Sequence, residues 1–506
     1  MAKPSSYWDK RALRRLTDAE KQGEAYSKRI QKIYDQANKN IQRDIENIYA
    51  NYSKATGMDV QSLKTLLTKT QTDKLWDELR AKGLDKYVKG NYKARITRLE
   101  QLQAELYAKV KEIYPQEQNE QTECFKGVIN DTYYKSIYDT QMGTGYDFAF
   151  STLDDNLVKS VMSEAWSGKN YSKRIWGNTD ILADTVSEIV GGALLSGQSY
   201  AKTSRQIRER FNVAKYYADR LVRTECNYFH NQADAMAYEE MDVDKYVFVA
   251  VLDTRTSTIC QNLDNKVFEL KEKQVGKNYP PMHVNCRSTT RAYMGAEIEA
   301  TLKRRARNPI TGENELIDNM SYKAWYNSKV KVHGKEDVDK AYKIAKNTSV
   351  DKAQYERYVE RLGRKNVGTL ENFVNIKYNN KGFWNDKKYT YRLRRHYDKS
   401  IANGDLSPLV DFDLYAHYDK ALNIELNEIK TVKDITVKGH RFHFIDRVFG
   451  SVEKKRSGVE IPEIKSALLN KSANFKEKEN SIKIYGEKCL VSINQKTGQL
   501  IQVNPY

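Results

Sequence analysis

The sequence predicts a mainly α N-terminal and central region with a small α+β core, followed by a compact C-terminal α+β domain with an antiparallel sheet. Three observations predict it. Apolar residues recur at three- and four-residue steps through most of residues 30–241, a β-branched and aromatic run interrupts them at 246–252, and strand-like runs joined by a Gly-ended turn close the chain. At roughly 150 residues per domain, 506 residues suggest about three units, each large enough to bury its own core.

Taken in order, Ile30, Ile33, Tyr34, Ala37, Ile41, Ile45 and Ile48 draw one apolar stripe along a polar rod, and Ile96, Leu99, Leu102, Leu106 and Val110 draw another that Pro115 is expected to stop. Two shorter helices are expected around Leu63 and Leu75, with breaks at Gly57 and Gly83. Helical pattern resumes from 133, pauses in a loop between Trp166 and Trp176, and returns at 180–195, 204–210 and 216–241. The strand at 246–252 leads into a polar loop and the extended Pro280-Pro281 segment. Residues 301–430 read as a charged, mostly helical connector with turns at 308–312 and 379–382. In the tail, 439–448 reads as a helix start or a strand, 461–469 as a helix with Pro462 in its first turn, and 481–485, 488–493 and 500–503 as an antiparallel meander. The expected division is 1–125, 126–300, 301–430 and 431–506.

Lys and Arg number 85 against 67 Asp and Glu, so 85 − 67 gives a net charge of +18. That balance permits sequence-independent contact with nucleic acid, although Lys-, Asn-, Tyr- and Ile-rich codon usage is a rival cause. No recognition motif for base readout is present. Five scattered cysteines argue against a disulfide scaffold and for a reducing compartment or buried thiols. No run of about 18 apolar residues exists to span a membrane, and the first ten residues lack an apolar signal core.

The central chemistry lies in Arg223-Thr-Glu225, Asp253-Thr-Arg255, Cys260, Pro281, His283, Cys286 and Arg287. Charges among apolar neighbours need partners, so Arg223 or Arg287 is expected to pair with Glu225 or Asp253. Cys260, His283 and Cys286 are a candidate zinc set if the loop folds back, with Cys226 or Asp253 as a fourth ligand. The bland alternative is two buried thiols and a hydrogen-bonded His pinning a long loop. A Cys260–His283 nucleophile and base lack a third orienting group.

The ordered series Trp166…Ser172-Lys-Arg-Ile-Trp176, Arg223-Thr-Glu225, Asp253-Thr-Arg-Thr-Ser257…Cys260, Leu263-Asp264 and Pro280-Pro281-Met-His283-Val-Asn-Cys286-Arg287 resembles the phage head morphogenesis family, the minor head proteins of the Mu F-like and SPP1 gp7-like kind. It covers roughly residues 130–295, with Cys226 standing where the family usually has Thr or Ser. The resemblance implies a virion component in few copies at the portal or capsid interior. Portal, capsid or scaffold proteins and phage DNA would be its partners, and the host cytoplasm its site of assembly.

In the tail, His440, His443 and Arg447 share a face if their segment is helical, and Arg456 follows. Cleaving RNA without a metal needs a proton acceptor, a proton donor and cations around the phosphorane, which His and Arg can supply. A solvated His/Arg face is the alternative. The residues 443–452, 456–460, 464–469 and 488–505 resemble phage-borne domains of the barnase–EndoU–colicin–RelE type. That resemblance implies a ribonuclease needing no cofactor, with His443 as base or acid, Arg447 and Arg456 as phosphate binders, and Ser492 or Thr497 as a nearby hydroxyl. Two readings stay open: a head protein carrying this effector, and a phage-encoded toxin enzyme whose N-terminal part serves packaging or delivery.

Overall fold

In the computed structural model, which describes residues 7–54, 57–87, 96–147 and 149–506, the first apolar stripe belongs to one long helix, Tyr7–Tyr52. Ile30, Tyr34, Ile41, Ile45 and Ile48 are buried along it. The segments expected at 204–210 and 216–241 are a single helix, Tyr200–Glu240, because Phe211, Ala214 and Ala218 carry the buried face across the gap. Pro115 does not stop the second stripe. The Arg98–Lys111 helix ends at Glu112 and the chain restarts as Ile113–Thr144, with Pro115 in a first turn where its missing N–H has no intrahelical partner to lose.

Helices Tyr7–Tyr52, Ile113–Thr144 and Tyr200–Glu240 pack mutually, and Tyr171–Ser196 packs on Arg98–Lys111 and Tyr200–Glu240. One continuous core runs through them, including Phe125, Ile129, Val190, Phe211 and Phe229. On this bundle sits a three-stranded antiparallel sheet, with Lys245–Val249 between Val267–Glu269 and Thr289–Ala292. The connector then opens not with a helix but with a hairpin, Lys303–Arg307 and Asn314–Asp318, whose turn holds the expected 308–312 signal and Gly312 at φ +73°. This first compact unit ends at Asp339. Among the described residues no helix is long and apolar enough to cross a membrane.

The second unit is Lys340–Tyr506. Its four-stranded antiparallel sheet runs in the order Leu500–Pro505, Cys489–Asn494, Ser481–Tyr485, Asn474–Lys478. The last of these was not foreseen: all five of its side chains are exposed, so the edge strand carries no apolar alternation. The 439–448 ambiguity resolves as a helix, Phe442–Phe449. Helices Lys381–Ala402 and Phe412–Leu426, assigned by sequence to the connector, share the sheet's core through Leu393, Tyr415 and Leu422, packed with Phe444, Ile484 and Val491.

Candidate functional sites

In the first unit, the Asp253–Arg287 pairing is formed, and it is two-pronged. Arg287 Nη1 and Nη2 donate to Asp253 Oδ2 and Oδ1, both at 2.8 Å. Oδ1 also accepts from the Arg255 backbone N–H at 2.9 Å and from Thr256 Oγ1 at 3.1 Å. Burial opposes the Asp253 charge, but these donors hold its carboxyl below the usual range. The Arg255 side chain is exposed, so its contribution is the backbone. Pro281 is buried beside the loop that returns the chain to this clamp.

Arg223 does not join the lock. It is half-exposed and pairs with Asp219 at 3.0 Å and Glu24 at 3.7 Å, because its position on the Tyr200–Glu240 helix faces outward. Glu225, two residues on, is buried and accepts from Trp166 Nε1 at 3.0 Å, with Arg174 at 3.7 Å. Burial pushes its carboxyl up to about 7, against the pull of Trp166 and Arg174. Trp166 stacks on Tyr228 with 5.0 Å between ring centres. Trp166, Arg174, Glu225, Pro281 and His283 line a cleft of about 610 Å³.

The Cys260, His283 and Cys286 ligand atoms lie within 4.8 Å of one another. Cys226 is not near them; its Sγ lies 3.7 Å from Cys124 Sγ inside the bundle.

A charged network missed by sequence reading ties the first helix to the sheet. Asp9 pairs with Arg291 and with Arg304, the latter at 3.0 Å, and Arg304 also grips Asp264 at 2.8 Å. Arg291 is held by Glu299 at 2.5 Å, and Asp9, Arg291, Arg304 and Asp264 are all nearly sealed from solvent. Asp9 stands 282 residues before Arg291, so the link to the first helix leaves no local signature.

In the second unit, a cavity of about 240 Å³ is lined by His396, Lys399, His443, Asp446, Arg447 and Arg456, with Ser400. His443, Asp446 and Arg447 come from Phe442–Phe449 at steps of three and four, while His396, Lys399 and Ser400 come from Lys381–Ala402. Arg456 returns through a tight turn in which Ser451 and Arg456 exchange backbone hydrogen bonds at 2.8 Å. Asp446 organises the site. Its carboxylate faces His396 Nε2 at 2.8 Å and accepts from Ser400 Oγ at 2.9 Å and Tyr415 OH at 2.8 Å. Arg447 donates to Asn504 at 3.1 Å, and Arg456 to the Asp405 carbonyl at 3.0 Å. Burial, aided by Arg441, lowers the His443 pKa from its ordinary value.

The other predicted tail residues lie elsewhere. His440 precedes the helix, is sealed from solvent and faces Asp419 at 3.1 Å. Ser492 is buried in the strand Cys489–Asn494, opposite Gln502, and Thr497 is exposed in the turn before Gly498; neither lines the cavity. His396 and Ser400 take that hydroxyl-and-imidazole position from about 50 residues upstream. The available signal was the chain's scarcity of histidine, 7 in all, with His396 in a helical stripe beside Arg394 and Arg395.

Residues 184–291, within the first unit, match the family model described as Phage Mu protein F like protein. The chain is 24% identical over 213 residues to the NAD(+)--arginine ADP-ribosyltransferase EFV of Enterococcus faecalis, covering 39% of this chain and 42% of that protein. It thus spans less than half the length of that relative. No solved structure matches the chain.

Proposed function

We propose that the protein is a minor head protein, held at the portal vertex or capsid interior with non-specific contacts to packaged DNA, whose second unit is a metal-independent ribonuclease effector. One observation carries the effector reading: two histidines and three cations, His396, His443, Lys399, Arg447 and Arg456, converge on one small cavity. In the proposed step, neutral His443 takes the proton of an RNA 2′-hydroxyl and the 2′-oxygen attacks phosphorus. The P–O5′ bond breaks, and His396, oriented by Asp446, gives its proton to the leaving 5′-oxygen. The products are a 2′,3′-cyclic phosphate and a 5′-hydroxyl. Lys399, Arg447 and Arg456 offset the charge that builds on the phosphorane. The net +18 supplies salt-sensitive, sequence-independent attraction to DNA through counterion release.

The experiment incubates the full-length protein with RNA in excess EDTA and follows cyclic-phosphate ends. Wild type is expected to cleave, and His443→Ala and His396→Ala each to slow cleavage by about 10²–10⁴-fold. No cleavage by wild type, or cleavage by both variants at the wild-type rate, rejects the ribonuclease.

A further inference from the structure

The polypeptide between Cys260 and Cys286 folds back so that three soft and borderline donors meet. Cys260 sits in the first turn of the short helix Thr258–Leu263, where its backbone N–H donates to Ser257 Oγ at 3.3 Å. Its Sγ lies 3.5 Å from His283 Nε2 and 3.8 Å from Cys286 Sγ. Zinc bound by thiolate at about 2.3 Å and imidazole at about 2.0–2.1 Å sets tetrahedral edges of about 3.8 Å between sulfurs and about 3.6 Å between sulfur and nitrogen. Both observed separations match those edges. The third, His283 to Cys286, falls within the 4.8 Å span of the cluster.

The imidazole is already oriented. His283 Nδ1 lies 2.9 Å from the Val284 carbonyl, to which an Nδ1–H donates, so the lone pair rests on Nε2, facing the thiols. A disulfide does not explain the geometry, because the sulfurs stand far beyond the roughly 2.05 Å of an S–S bond.

We propose that Cys260, His283 and Cys286 bind one zinc ion, with water in the fourth position. The fourth ligands suggested by sequence are engaged elsewhere: Asp253 by the Arg287 fork and Cys226 beside Cys124. Among the described residues no other His, Cys, Asp or Glu completes the cluster. The ion joins the ends of a long loop one residue from Arg287, locking the segment that carries the Asp253–Arg287 clamp. Two thiolates and one imidazole select zinc over magnesium or calcium.

The test uses the full-length chain, expressed with added zinc, desalted in reducing buffer and assayed for metal. About one zinc per chain is expected in wild type, with Cys260→Ser and His283→Asn binding at least about 100-fold more weakly. Should a cysteine variant fail to fold, cobalt titration of the wild-type apoprotein reads the same site. Sulfur-to-cobalt charge transfer with tetrahedral visible bands supports the proposal. Wild type that stays below half an equivalent of zinc, featureless cobalt spectra, or His283→Asn with undiminished zinc overturns it.

Discussion

Asp253 and Arg287 meet across 34 residues of sequence in a two-pronged ion pair, each N···O distance 2.8 Å. The clamp joins the turn after the central strand to the start of the strand Thr289–Ala292, so it fixes both ends of the long loop between them. Removing one member leaves the other charge partly buried without its partner. Asp253→Ala is therefore expected to destabilise the protein by on the order of 2 kcal/mol in denaturant melts. Asp253→Ala with Arg287→Met should recover part of that loss, and additive losses would contradict the clamp.

Glu225 yields a pH-dependent prediction. Its carboxyl titrates near 7 in the fold against 4.5 when unperturbed, so the folded state binds that proton more tightly. The associated stability is complete below about pH 4.5 and is lost as pH rises through 7. Glu225→Gln keeps an oxygen acceptor for Trp166 Nε1 without the charge. It is expected to be more stable than wild type by about 1–3 kcal/mol at pH 8 and nearly equal to it at pH 4.5. A stability difference independent of pH would contradict the buried-acid account.

Asp9 links the first helix to the sheet through Arg291 and Arg304, whose side chains are each 2% exposed. Asp9→Ala leaves two buried guanidiniums short of negative charge. A loss of about 3–5 kcal/mol is expected in the first unit's unfolding free energy, measured in denaturant melts. A change under 1 kcal/mol would mean that Glu299 and Asp264 suffice.

How much of this was legible in sequence differs by element. The strand expected at 246–252, which forms over Lys245–Val249, and the terminal meander were readable because β-branched runs and turn residues are local signals. The long helices were readable in kind but not in length, since Phe211 and Ala214 bridge a gap that looks like a break. The need of buried charges for partners left four pairings open among Arg223, Arg287, Glu225 and Asp253, of which only Asp253–Arg287 forms. His396, Ser400 and Asp446 were not assembled, because helices distant in sequence create that cavity, and no spacing rule brings 396 to 443.

Gly450 positions Arg456 in the proposed ribonuclease site. With φ at +78°, a Cβ there would stand 2.5 Å from the Gly458 backbone nitrogen and 2.6 Å from the Arg456 carbonyl. Gly450→Ala must displace the returning turn. Loss of RNA cleavage by about 10-fold or more is expected, with the fold retained by circular dichroism. Unchanged cleavage would remove Arg456 from the site.

The His443 environment sets the acid limb of any cleavage profile. Because burial and Arg441 lower its pKa, the neutral base persists to lower pH than for a free imidazole. The rate is expected to rise with pH through a limb below about 6.5, absent in His443→Ala. A limb above that value would assign the base to another group.

Quantitative mass spectrometry of purified phage particles tests the central claim most directly. Peptides from both the residue 1–339 unit and the residue 340–506 unit should appear at a few copies per particle. Their absence from particles, with the protein free in the lysed host, would contradict a head protein that carries its effector and favour a free toxin enzyme.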